Sequence, residues 1–448
     1  MRNIYGFNSS QDVINLQTKY SFFPRVANIV FTLRLDDGFD RAVMRMALEL
    51  LVERNDCLRI RFIRQNGRTC QVFDDSRSFG HIPEYHFNWK REEEAFVRRF
   101  RRGKVKPEKG KVIKAAFAVN SEGVDVIYFK ISHFVADTYA ISVLIDDLLA
   151  VYRALIAGSP LPQNPGSFEA VLKKDLEYKD DIAATEKDRE FYRDYYSVQH
   201  PEHPVYCGLH GSGSDRWKRI RKKGRFALPY LFVKCDTEGY RLPIPSALTL
   251  QAEQWCKDNG VSLSAFFFYT CSIAASLANA RERTQSPLML LDCRGTNAER
   301  RCGGTKVQSL SIYTTVDYDL SFKDNMVREY QLQNQLFRHT RLTYLDVEAI
   351  QHGQWGHSML SQITNFCWSF IPFHATDGVS MQVLSNGKGA LAAYIAAMYD
   401  VDSRHIDVLY DVQTQMITAS QLMDFHRLYL LVVGGVLAHP EEKLSRIF

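Results

Sequence analysis

One short segment of this chain combines residue types that could move a proton: Ser132-His133-Phe134-Val135-Ala136-Asp137-Thr138. Ile127, Phe129, Ile131 and His133 share one face of a predicted strand, so the imidazole ends an apolar row where the strand leaves the sheet and a helix begins. A histidine placed there can be packed on one edge and open on the other. Its ordinary pKa of ~6.5 leaves it mostly neutral, and therefore basic, at pH 7. Asp137 follows four residues later; in a loop, spacing alone does not bring it to the ring, and capping the coming helix is a sufficient role for it. By composition alone such a histidine reads as a satisfied core residue, so its surroundings must decide.

Other chemistries find no support. There is no P-loop, GxSxG elbow, HExxH or EF-hand pattern, and Gly387-Lys388-Gly389 lacks the strand before it that a dinucleotide fingerprint needs. Nine cysteines are scattered without CxxC pairs, an odd number that supports neither a zinc module nor a disulfide framework and implies reduced thiols in the cytoplasm. A formal net charge of +5 is small for 448 residues, which argues against nucleic-acid binding. Basic clusters at Arg98-Arg99-Phe100-Arg101-Arg102, Arg216-Trp217-Lys218-Arg219 and Arg221-Lys222-Lys223 read first as solvated surface and second as seats for an acidic partner or a phosphate. The N-terminal residues lack a signal peptide's apolar core, and the longest apolar runs, 264–278 and 428–438, fall short of the ~20 residues needed to span a bilayer. A monomer without a membrane anchor is the expectation.

The elements that must position the segment can be read from periodicity. A β-branched strand at 27–35 leads to a helix capped by Asp40, with Val43, Met44, Ala47, Leu48 and Leu51 on its apolar stripe until Asn55-Asp56. Runs at 57–63 and 69–73 flank Asn66-Gly67, the strongest short hairpin signal. Strands at 112–119 and 124–133 surround Ser121-Glu122-Gly123, and a helix over 138–157 carries Ile141, Leu144, Ile145, Leu148, Tyr152 and Leu155 before stopping at Gly158. Residues 158–167, GSPLPQNPGS, have connector composition and divide the chain into lobes 1–167 and 168–448. The second lobe begins with a charged helical stretch at 168–197 and a polar loop at 211–224. Helices at 249–259 and 263–280, strands at 287–293 and near 307–317, a helix at 322–339, strands at 364–371, 391–399 and 404–411, and a helix at 418–437 complete it. The implied class is α/β, with mixed sheets covered by helices.

The His133 segment resembles the HHxxxDG motif of the condensation-domain superfamily, which includes the condensation domains of nonribosomal peptide synthetases and shares the chloramphenicol acetyltransferase fold. Further segments are similar in the family's order. Asn55–Phe62 resembles its "rhe.LRt.f" segment, Val261–Phe266 its "gvTlnavl" helix start, Leu291-Asp292-Cys293-Arg294-Gly295 its "v.gR" strand end, Val307–Val316 its "vGmfvNtlplrv" strand, and Val408-Leu409-Tyr410-Asp411 its "l.Yd" strand. Each match alone is weak; the colinearity over nearly the whole chain is specific. Ser132 stands in place of the motif's first histidine and Thr138 in place of its glycine, and the DFGWG-like segment is absent.

The resemblance implies two chloramphenicol acetyltransferase-like lobes with a substrate tunnel between them, and a free-standing acyltransferase. Such an enzyme moves an acyl or aminoacyl group from a phosphopantetheine thioester, on an acyl or peptidyl carrier protein or on CoA, to a small-molecule amine or hydroxyl, with no tightly bound cofactor and no metal. The motif's second histidine corresponds to His133, which would act as general base or orient the acceptor and stabilise charge. The aspartate corresponds to Asp137, structural in the family, where it pairs with the "gR" arginine, Arg294. Ser132, Thr138, Ser309 and Ser311 are candidate substrate contacts, the last two for an oxyanion. A second reading is a catalytically inactive relative that recruits a carrier protein or tailoring enzyme.

Overall fold

Asn66 and Gly67 both take positive φ, 50° and 75°, and the two-residue turn they form joins β2 (Ile60–Gln65) to β3 (Arg68–Phe73). This hairpin belongs to a computed structural model that describes residues 3–21, 23–200, 208–209, 235–356, 366–374, 376, 378–389 and 391–448. The basic clusters at 216–219 and 221–223 and the loop at 211–224 lie outside the described residues.

The chain forms two compact units, and neither is a single stretch of sequence. The first comprises Met1–Thr185, Asp292–Gln308 and Thr376–Gly387; the second comprises Glu186–Leu291, Ser309–Ala375 and Lys388–Phe448. The division therefore falls after Thr185 rather than at the 158–167 connector. Two later segments return to the first unit: the strand Val379–Leu384 pairs with β1 (Asn28–Leu35), and the segment after Asp292 carries Arg294.

Alternation builds the first unit's sheet, whose order is Val379–Leu384, β1, β6 (Asp125–Ser132), β5 (Ile113–Val119), β4 (Glu84–His86). Phe31, Leu33, Phe117, Ile127, Phe129 and Ile131 form one face, with the Phe31 and Phe129 rings stacked 5.0 Å apart. That face is covered by α2 (Arg41–Arg54) and α4 (Thr138–Ala157). Asp40 caps α2 by accepting from the Val43 N–H at 2.9 Å, and Gly158 ends α4 in the left-handed region. The opposite face, with Ala116, Ala118, Val126 and Tyr128, receives Phe96 of α3 (Lys90–Arg102).

Besides the short helix Asn297–Arg300, two longer helices of the first unit have no counterpart in the sequence periodicity. Ser9–Tyr20 (α1) starts at an Asn8/Gln11 capping box inside what reads as a polar segment. The other, α3, buries little more than Phe96, so its charged sequence hides an apolar stripe.

The second unit is built on a six-stranded mixed sheet ordered Val307–Ser311, Leu288–Asp292, Cys367–Phe373, Ala393–Asp400, His405–Gln413, Thr237–Ile244. Its core helix, Leu263–Ala278, carries no charged side chain and is buried at every residue from Ala265 to Ser276, with the Thr270 and Ser272 hydroxyls returned to the helix's own carbonyls. Among the described residues no single helix is long and apolar enough to cross a membrane, and the eight described cysteines are free thiols. The strand Val379–Leu384 does precede Gly387-Lys388-Gly389, contrary to the expectation, but the next element is the strand Ala393–Asp400 and not the helix a dinucleotide site requires.

Leu48 is fully buried between α2 and the sheet. Leu48→Ala is expected to lower unfolding free energy by ~2–5 kcal/mol, read from the urea midpoint at unchanged slope.

Candidate functional site

Hydrogen bonding carries β6 right up to the histidine. The Ser132 N–H donates to the Val112 carbonyl at 2.8 Å, the His133 N–H to the Ala27 carbonyl at 2.7 Å, and the chain then turns, with Val135 N–H donating to Ser132 at 3.0 Å. Phe134 is wedged against Phe62 and Phe7, with ring centroids 4.9 and 5.5 Å away, and its carbonyl accepts from Gln11 Nε2 of α1 at 2.9 Å. Ala136 forms a parallel bridge to Gly304. Gly304 has φ of 96°, and a Cβ there would fall 2.0 Å from the Phe168 ring, so only glycine lets the two chains meet.

Asp137 is the N-cap of α4, and its carboxylate is saturated. It accepts from the Ala140 N–H at 2.8 Å, from the Lys306 N–H at 2.7 Å, and from Arg294 Nη2, which lies 3.1 and 3.0 Å from its two oxygens. The Arg294 side chain is 1% exposed and that of Asp137 6%. Arg294 also donates to Asp292 Oδ1 at 2.7 Å and to the Gly304 carbonyl at 2.6 Å, with the Tyr139 ring 4.8 Å from its guanidinium carbon. Burial works against the Arg294 charge, but Asp137 and Asp292 more than offset it and hold its pKa above the ordinary value. Burial raises the Asp292 pKa, and Arg294 only partly opposes that.

No hydrogen bond joins Asp137 to the imidazole. Nδ1 of His133 is sealed from solvent without a hydrogen-bond partner, while the residue as a whole keeps partial exposure. Nε2 is not sealed in this way, and it makes no hydrogen bond among the described residues. Burial lowers the His133 pKa; backbone groups of His133 and Ala136 and the charge of Asp137 pull weakly the other way. The ring is neutral at pH 7, with Nε2 free to accept a proton.

The first unit thus brings together Ser132, His133, Asp137, Thr138 and Arg294. Ser132 is buried and leaves β6 on the face opposite His133. Thr138 is the first residue of α4 and does not have positive φ, so the backbone there makes no demand for glycine. Ser309 and Ser311 are buried in the second unit, where Ser311 Oγ donates to Glu348 Oε1 at 3.3 Å. Gln11, Gly304 and Lys306 were not singled out from sequence. The capping box at Asn8 was the available signal for Gln11; the other two act through backbone groups and leave no side-chain pattern.

The sequence pattern of the Condensation domain family matches residues 1–206. No curated protein sequence matches the chain. Among solved structures, the first condensation domain of the CDA synthetase is 15% identical with a TM-score of 0.78, covering 100% of this chain and 99% of that one. The condensation domain from monacolin K polyketide synthase is 10% identical with a TM-score of 0.81, covering 99% of each. The starter condensation domain of rhizomide synthetase, in complex with C8-CoA, is 16% identical with a TM-score of 0.80, covering 99% of this chain and 97% of that one. At these identities the likeness establishes the fold.

Arg294→Ala strands the Asp137 carboxylate in a dry site, and the expected cost is ~3–5 kcal/mol of unfolding free energy. Urea denaturation checks it; a loss of under about 1 kcal/mol would mean the pair is dispensable.

Proposed function

From a chain whose fold, and whose pattern over its first 206 residues, are those of the condensation-domain superfamily, we propose an acyltransferase of the condensation type that works through His133. The donor is an acyl or aminoacyl phosphopantetheine thioester, on a carrier protein or CoA, and the acceptor is an amine or a hydroxyl. The observation that carries this reading is the buried Asp137–Arg294 pair, which holds the strand-to-helix junction while leaving a neutral histidine partly exposed.

The chemistry follows from that geometry. Nε2 accepts the proton of the attacking amine or hydroxyl as its lone pair closes on the thioester carbonyl carbon, and the imidazolium formed is stabilised by the nearby Asp137 charge. Collapse of the tetrahedral intermediate expels the thiolate, which takes the proton back from Nε2 to leave as thiol. Asp137 is a positioning residue here, since its oxygens are occupied by four donor contacts and none reaches the ring. Ser132 and Thr138 do not remove any group this sequence of steps uses.

The test is transfer from acyl-pantetheine and acyl-CoA donors to amine and alcohol acceptors. A positioned base is worth ~10²–10⁴-fold, so His133→Ala should lower the rate by that range with the fold retained. Carrier-protein binding by a chain that transfers nothing, or an unchanged rate in His133→Ala, would instead favour a recruiting role or a different catalytic group.

A further inference from the structure

Lys114 of β5 and Lys130 of β6 stand directly opposite one another in the sheet, on the face that carries α3. Like charges in that register repel, and a fold ordinarily separates them or inserts a carboxylate. Here no carboxylate pairs with either lysine among the described residues. Lys114 Nζ donates to the Lys104 carbonyl at 2.7 Å and Lys130 Nζ to the Phe100 carbonyl. Lys130 is 2% exposed and its ammonium lies 4.6 Å from the Phe100 ring centroid. Gly103 gives it room: a Cβ there would sit 2.9 Å from Lys130 Nζ. Burial first, and Lys114 second, push the Lys130 pKa down to about 8.

Both lysines line a cleft of about 630 Å³, as do Arg99 and Lys111, and no Asp or Glu is among the lining residues. Arg99 and Lys111 likewise have no carboxylate partner among the described residues. The remaining walls are largely apolar, with Phe79, Phe96 and Ile113 contributing. His133 is not part of this lining, and it leaves β6 on the face opposite Lys130. The volume suits a small organic ligand.

We propose that this cleft binds an amphipathic organic anion, with a phosphate or carboxylate head among Lys114, Lys130 and Arg99 and an aliphatic or aromatic body against Phe79 and Phe96. The head supplies the negative charge that the facing lysines lack, and ammonium groups serve this purpose as point charges for either oxyanion. The site is separate from the His133 chemistry and stands whether or not that reading holds.

Calorimetric titration of the 448-residue chain with octyl phosphate, octanoate and octanol tests it. At least one of the two anions should bind with Kd below about 1 mM and about tenfold or more tighter than octanol, the tighter anion naming the head. The double variant Lys114→Gln/Arg99→Gln should weaken that binding by about tenfold or more while transfer through His133 is unaffected. Absence of binding by both anions, equal binding of octanol, or unchanged affinity in the folded double variant would overturn the proposal. Should the variant not fold, the comparison of anions with octanol on the native chain decides alone.

Discussion

A carboxylate and a guanidinium, both cut off from water, organise the first unit around the histidine. Asp137 could not be buried without the donors that saturate it, and Arg294 could not be buried without Asp137 and Asp292. Because these donors come from the start of α4, from Lys306 and from Arg294, the pair ties three stretches of chain to one point. A buried ion pair is a poor source of net stability but demands a specific geometry. Here that geometry fixes the residue at which β6 becomes α4, and the imidazole is four positions upstream.

Much of this arrangement is legible in the sequence where the physics is local. Asn66-Gly67 announces a hairpin because both positions need positive φ, Asp40 and Gly158 punctuate their helices, and the 138–157 stripe emerges at its observed ends. Non-local choices are hidden. The strand Val379–Leu384 joins β1 from hundreds of residues away, and the division falls beyond the 158–167 connector because Phe168, Val171 and Leu172 pack into the first unit's core. A helix such as α3, with Phe96 as its buried anchor amid Arg and Glu, gives too thin an apolar signal to be read.

The candidate site shows the same split. His133, Asp137 and Arg294 could be named through their family resemblance, but their contacts depend on a separation of 157 residues that no spacing argument covers. Thr138, which stands in place of the motif's glycine, is the first residue of α4 and needs no left-handed backbone, a fact that only the structure supplies. The same strand then does two jobs by parity alone. Ile127, Phe129 and Ile131 pack into the core with α2 and α4 and His133 follows them in the same parity, whereas Lys130 turns to the other side, where it stands opposite Lys114. That confrontation becomes visible only once the register of β5 and β6 is known.

The most direct measurement is an NMR titration of the His133 imidazole in the intact chain and in Arg294→Lys. Because burial disfavours the charged ring, its pKa should lie below the ordinary ~6.5: the ring stays neutral at pH 7 and becomes protonated only as pH falls through that lowered value. In the folded Arg294→Lys variant the ring signals should shift or broaden as the junction loosens. A titration at or above ~6.5 in the native chain, or ring signals indifferent to the loss of the Arg294 guanidinium, would contradict the view that the buried pair holds a neutral imidazole ready to take a proton.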